Sequence, residues 1–258
     1  MFRSSNPTLQ EAFYAQERSF ESGNTMTIQG TVNKSFVLLA LIVLSASWVW
    51  GQALQPAALP QYGQVNAVNP AAMGYAGIGA IGGFIVAMVT VFKREWARFT
   101  APVYALLEGL FLGGISAVFE MQYPGIVIQA VSLTFGVALT MLGIYKSGLI
   151  KVDQKFIMGV ASATGAIALV YIVNIVLGFF GRGVPFVMSS GPWGIGFSVI
   201  VCGIAAFNLI VDFFMIEEFS RIGSKKHMEW YAAFSLMVTL VWLYLEILRL
   251  LSKMNQRR

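Results

Sequence analysis

Apolar positions gather along this chain into seven long runs, with short polar stretches between them. The runs are about Phe36 to Gln52, Tyr75 to Phe92, Ala101 to Phe119, Gly125 to Tyr145, Phe156 to Phe180, Gly194 to Ile216 and Trp230 to Leu251. Each approaches the roughly 20 residues with which a helix crosses the hydrocarbon core of a bilayer. Backbone groups that meet no water must bond within their own segment, so runs of this length predict helices. The pattern predicts an all-α membrane protein with seven transmembrane helices.

The last run, WYAAFSLMVTLVWLYLEILRLL, carries Glu246 and Arg249 one turn apart. Charges inside a membrane helix cost at least a few kcal/mol each and turn toward other helices, water or one another. This helix is therefore expected at the centre, enclosed by the other six. Gly79 with Gly83 in the second run, and Gly109 with Gly113 in the third, place small residues four apart. Such pairs let membrane helices approach closely and predict a compact bundle.

The flanks divide the chain into a polar tail over 1–34, a membrane domain over 35–252 and a short basic tail over 253–258. The first tail mixes acids and bases (Arg3, Glu11, Glu17, Arg18, Glu21, Lys34), which is too long and too acidic for the start of a signal peptide. It reads either as a cytosolic tail with a short interfacial helix over Leu9 to Phe20 or as a docking segment. The connector from Ala53 to Gly74 contains Pro56, Pro60 and Pro70 and no charge, and is expected to hold no helix. No internal period of 20 to 50 residues is visible, nor an inverted repeat of the transporter kind.

Composition agrees with this picture. The chain is 57% hydrophobic and 11% charged, with mean hydropathy +0.71, where soluble domains carry about 25% charged residues. Lysine and arginine set the orientation. The N-terminal tail, the loop after the second run (Lys93, Arg94, Arg98), the one after the fourth (Lys146, Lys151, Lys155) and the one after the sixth (Arg221, Lys225, Lys226) hold three each. The loops on the opposite side hold only Arg182, so the N-terminus is expected in the cytoplasm. Lys253, Arg257 and Arg258 go against this rule and leave the side of the C-terminus open.

Several function classes drop out. One cysteine, Cys202, excludes an intrachain disulfide and a cysteine-based metal site. The one histidine, His227, is expected to be a solvated loop residue, with no second histidine for a metal pair. No clustered basic face with groove-reading elements points to nucleic acid. HExxH, GxSxG and a phosphate-binding glycine loop are all missing, so neither an enzyme nor a cofactor is expected.

What remains is a small set of ionisable residues inside the apolar runs: Glu108, Asp212, Glu246 and Arg249. Glu108, near the middle of its run, must be protonated, paired or hydrated at that depth. Asp212 lies toward the cytoplasmic end of the sixth run, where an acid can also reach the interface. Glu246 and Arg249 are three apart and so can form a self-contained ion pair. Thr239 shares the face of Glu246 two turns back, and Asn174 and Asn208 add polar groups. Oxygen ligands of this kind suit hard cations such as Ca²⁺, or protons, held transiently during passage, since they are too few for a closed Ca²⁺ cage.

The strings APVYALLEGLFLGGIS, YPGIVIQAVSLTFGV, NLIVDFFMIEE and MEWYAAFSLMVTLVWLYLEILRLL resemble the Bax inhibitor/YccA-like family (transmembrane Bax inhibitor motif), in a bacterial branch, from about Met26 to the end. The resemblance implies seven helices with the seventh in the centre, a pH-sensitive Ca²⁺ leak across the inner or plasma membrane, and for some members an AAA-type membrane protease as partner. It also implies a pH sensor of two aspartates on the sixth and seventh helices, latched by an arginine from the second. Asp212 matches the first aspartate. The second falls at Thr239, which cannot ionise, and the latch falls near Lys93 or Arg94. Two acids sharing a proton titrate as a coupled pair. A lone Asp212 is instead expected to stay ionised and latched, giving a weaker or differently placed pH response.

Three readings follow. The first is a pH-modulated Ca²⁺ leak channel. The second is a non-conducting membrane regulator that binds a protease or stress partner through its tail. The third is a proton-coupled transporter with Glu108 as its coupling acid.

Overall fold

The computed structural model describes residues 25–53, 57–59, 63–65, 69–184, 187 and 189–257. The expected interfacial helix over Leu9 to Phe20 lies outside them, as does most of the N-terminal tail. The described residues form seven long helices: α1 (Ile28–Ala53), α2 (Pro70–Phe92), α3 (Ala97–Gln122), α4 (Ile126–Ser147), α5 (Gln154–Phe179), α6 (Pro192–Arg221) and α7 (Met228–Asn255). All seven are long and apolar enough to cross a membrane. A two-stranded antiparallel hairpin, β1 (Ala57–Leu59) with β2 (Gly63–Val65), sits between α1 and α2.

Three boundaries differ from those the sequence suggests. The first helix starts at Ile28, before the membrane domain expected from 35, because polar residues near its start, Lys34 among them, are tied to α7. The second starts at Pro70, so the connector's last residues are helical. Asn69 caps it by accepting from the Ala71 amide at 3.0 Å, and proline at the first position gives up a donor that has no helical partner anyway. The last helix continues to Asn255, which puts Lys253 inside the helix and not in a tail.

The chain forms two compact units. The first holds α1, the hairpin, α2, α3 as far as Ala117, and Phe214–Met237. Here the small residues do what their spacing predicts. A β-carbon on Gly79 would strike the backbone of Leu107 and Phe111 on α3, and one on Gly109 or Gly113 would strike α1 at Ile42 or Ala46. Where lipid gives no hydrophobic drive, such backbone-to-backbone contact supplies the dispersion that holds helices together. Val49, Ala53, Ala72 and Ala117 close the packing at one end of these helices.

The second unit holds Val118–Phe213 and the chain from Val238 onward. Its α4 begins after Gly125, which stands at φ 84°, a conformation glycine adopts without strain. Both carboxylate oxygens of Glu120 turn to this start and accept from the amides of Gly125 (2.6 Å) and Val127 (3.1 Å). That placement satisfies two helix-start donors and sets a negative charge at the positive end of the helix dipole. Phe156 and Phe207 meet edge to face at 6.0 Å, and the Asn208 amide donates to the Thr164 hydroxyl at 2.8 Å.

Large apolar side chains such as Phe36, Leu44, Ile81, Phe84, Leu139 and Ile172 are exposed. Apolar exposure on this scale suits acyl chains and not water. Burial is greatest in α7, where half of the most apolar stretch is covered, against 11% in α5.

Candidate functional site

The second unit holds a charged cluster built around one buried carboxylate. On α7 the three-residue spacing brings Glu246 and Arg249 to one face, and Arg249 Nη1 donates to Glu246 Oε1 at 2.7 Å. Tyr171 of α5 completes the group. Its hydroxyl donates to the same Oε1 at 2.7 Å and accepts from Arg249 Nη1 at 2.6 Å, and the guanidinium lies 4.9 Å from the ring centroid. Glu246 is 1% exposed. Its second oxygen, Oε2, is also buried and has no hydrogen-bond partner among the described residues. A carboxylate offers lone pairs on both oxygens. Half of this one's accepting capacity is therefore left for a proton, a water or a cation.

Asp212 and Thr239 belong to the same unit. Asp212 is half-buried on α6 with its Oδ2 buried, and Thr239 is buried on α7. Glu108 belongs to the first unit, on α3, where the Tyr104 hydroxyl hydrogen-bonds it. Gly83 of α2 makes room for its Oε2, since a β-carbon there would stand 3.1 Å away. Tyr104 itself packs edge-on to Phe234 at 4.9 Å. The latch candidates also lie in the first unit. Lys93 ends α2, and Arg94 holds its guanidinium 5.2 Å from the centre of the Tyr231 ring.

Two charged groups were not legible as sites. Glu229, in the first turn of α7, is fully buried in the first unit. It accepts from the amide and the hydroxyl of Thr27, both at 2.9 Å, pairs with Lys226 at 2.8 Å, and is ion-paired with Lys34. Beside it, Met26 donates to the Ser224 carbonyl at 2.7 Å. In sequence, Lys34 and Glu229 read as the flanks of two runs 195 positions apart. The other is Lys253, buried inside the second unit. His227, expected to be solvated, is half-buried, with its Nε2 atom buried. Among the described residues, no three of His, Cys, Asp and Glu converge into a group that could hold a metal ion.

Seven apolar helices of membrane-crossing length, with ionisable side chains bonded to one another inside them, define a multi-pass integral membrane protein. A model of the Bax inhibitor 1 like family matches residues 6–256, nearly the whole chain, and the chain belongs to that family. No curated protein and no solved structure matches the chain.

Proposed function

We propose that this protein is a cation leak channel of the inner or plasma membrane, with Ca²⁺ as the permeant ion, its N-terminus in the cytoplasm and its leak modulated by pH. The observation that carries the reading is the buried Oε2 of Glu246, which has no hydrogen-bond partner among the described residues. Arg249 balances the charge of this carboxylate through Oε1, and Oε2 remains an oxygen ligand that a passing cation or a proton can meet. Membership of the Bax inhibitor 1 like family supports the same reading. Asp212 is the proposed pH-responsive group. With Thr239 at the position where the resemblance implies a second aspartate, the response rests on one carboxylate and is modest.

The test is the signal of a Ca²⁺-sensitive dye in liposomes carrying the wild type, Asp212→Asn or Glu246→Gln, from about pH 5 to about pH 8. The wild type is expected to pass Ca²⁺, Glu246→Gln to pass several-fold less, and Asp212→Asn to lose the pH dependence. If none of the three exceeds empty liposomes at any pH, the channel reading fails.

A further inference from the structure

Lys253 is a lysine inside a membrane protein with no carboxylate among its hydrogen-bond partners in the described residues. It is 4% exposed. Its ammonium donates to the carbonyl of Val187 at 2.8 Å, the carbonyl of Gly194 at 3.0 Å and the hydroxyl of Ser198 at 2.9 Å. An ammonium has three donors, and each here meets one neutral oxygen.

The oxygens converge because the backbone is folded to bring them together. Val187 and Gly194 are seven positions apart, yet their carbonyls point at one atom. Gly194 comes so close to Ser189 that a β-carbon on it would overlap the Ser189 backbone. Ser190 then ties the turn to the end of α7 by donating to Gln256 Oε1. Ser198 is fully buried on the first turns of α6. Glu246, the buried acid on the same helix, is paired with Arg249, and the oxygens that meet the ammonium are neutral.

We propose that the carbonyls of Val187 and Gly194 and the hydroxyl of Ser198 form a monovalent-cation site that the chain fills with its own Lys253 as a tethered occupant. Charge and size favour a monovalent ion. The oxygens are neutral and already solvate an ammonium at 2.8 to 3.0 Å. Ca²⁺ and Mg²⁺ call instead for contacts of about 2.3–2.6 Å and about 2.0–2.1 Å, with carboxylates or water among them. Neutral carbonyls at the observed spacing replace the hydration of a larger, singly charged ion of ammonium or potassium size. Lys253 stands two residues before the end of α7 at Asn255, so its long stem can swing the charge out to the interface. The lysine is thus a built-in competitor for the site.

The test is the thermal stability of the purified full chain in ammonium, potassium or choline chloride at equal ionic strength. Lys253→Ala is expected to gain a saturable rise of about 5 °C with ammonium or potassium and none with choline. The wild type is expected to show no such difference, and nor is Lys253→Met, whose side chain fills the space without charge. Adding Ser198→Ala to Lys253→Ala is expected to weaken the response about tenfold in ion concentration. Lys253→Ser, which returns one hydroxyl, is the second vehicle should the alanine variant not fold. Equal behaviour in ammonium and choline, or failure of both variants to fold in ammonium, overturns the proposal. The reading needs no conduction, so its failure and the failure of the leak channel are separate results.

Discussion

The carboxylate of Glu229 fills the space directly over Gly30, so closely that a β-carbon at position 30 would overlap both of its oxygens. Gly30 lies in the first turn of α1 and Glu229 in the first turn of α7. Glycine at one position lets the acid at the other reach Thr27, Lys34 and Lys226 at once. Gly30→Ala is expected to push the carboxylate off these partners. Glu229→Ala removes it altogether and costs about 3 kcal/mol, at the low end for breaking a buried pair because Lys226 is partly exposed and can turn to water. Melting temperature in detergent should fall by about 6–12 °C. In the Glu229→Ala background, Gly30→Ala should cost almost nothing further. Additive losses would show that the two residues act independently.

What could be read beforehand follows from the range of each interaction. Seven spans were legible because a bilayer imposes one length and one polarity on every helix. The glycine pairs were legible because four-residue spacing is local. Glu246 with Arg249 was legible for the same reason. Tyr171 was not, since nothing in an apolar run says which hydroxyl will meet a charge 75 positions away. Lys253 looked like tail because a lysine near a chain end ordinarily is solvated, and only the folded turn at Val187 and Gly194 supplies its oxygens.

The glycines of α2 provide an internal control. A β-carbon on Gly79 would meet the backbone of α3, whereas one on Gly77 would meet nothing within 4 Å. Gly77→Ala should be neutral or stabilising by up to about 1 kcal/mol, the helix-propensity gain of alanine over glycine. Gly79→Ala should destabilise by about 2 kcal/mol, as overpacking does. Thermal melts of the two single variants decide this, and equal shifts would mean that α2 does not rest on α3 through Gly79.

Tyr171, Glu246 and Arg249 act as one hydrogen-bonded group. Tyr171→Phe takes one of two donors from Glu246 Oε1 and should cost about 1–3 kcal/mol. Arg249→Met leaves the buried acid without its base and should cost about 3 kcal/mol, at the low end for breaking a buried pair because the Arg249 side chain is 39% exposed. Arg249→Met with Glu246→Gln together should recover much of that loss, because no uncompensated charge remains. A double variant as unstable as the sum of its parts would show that the pair contributes little as a pair.

The strongest departure from the family's expected sensor is Thr239, and it can be reversed by one substitution. Thr239 is buried on α7, in the same unit as Asp212. A carboxylate placed there would give that unit a second acid where the resemblance implies one. Two interacting acids release their protons in two macroscopic steps that belong to the pair. On the channel reading, the leak of Thr239→Asp is expected to follow pH in two steps where the wild type shows one, with the total change across the range enlarged several-fold. Thr239→Asn, similar in shape but unable to ionise, should keep the wild-type profile. The liposome assay over the same pH range reads all three. Matching profiles for the aspartate and asparagine variants would place the pH response elsewhere, with Glu246 and Glu108 the next carboxylates to substitute.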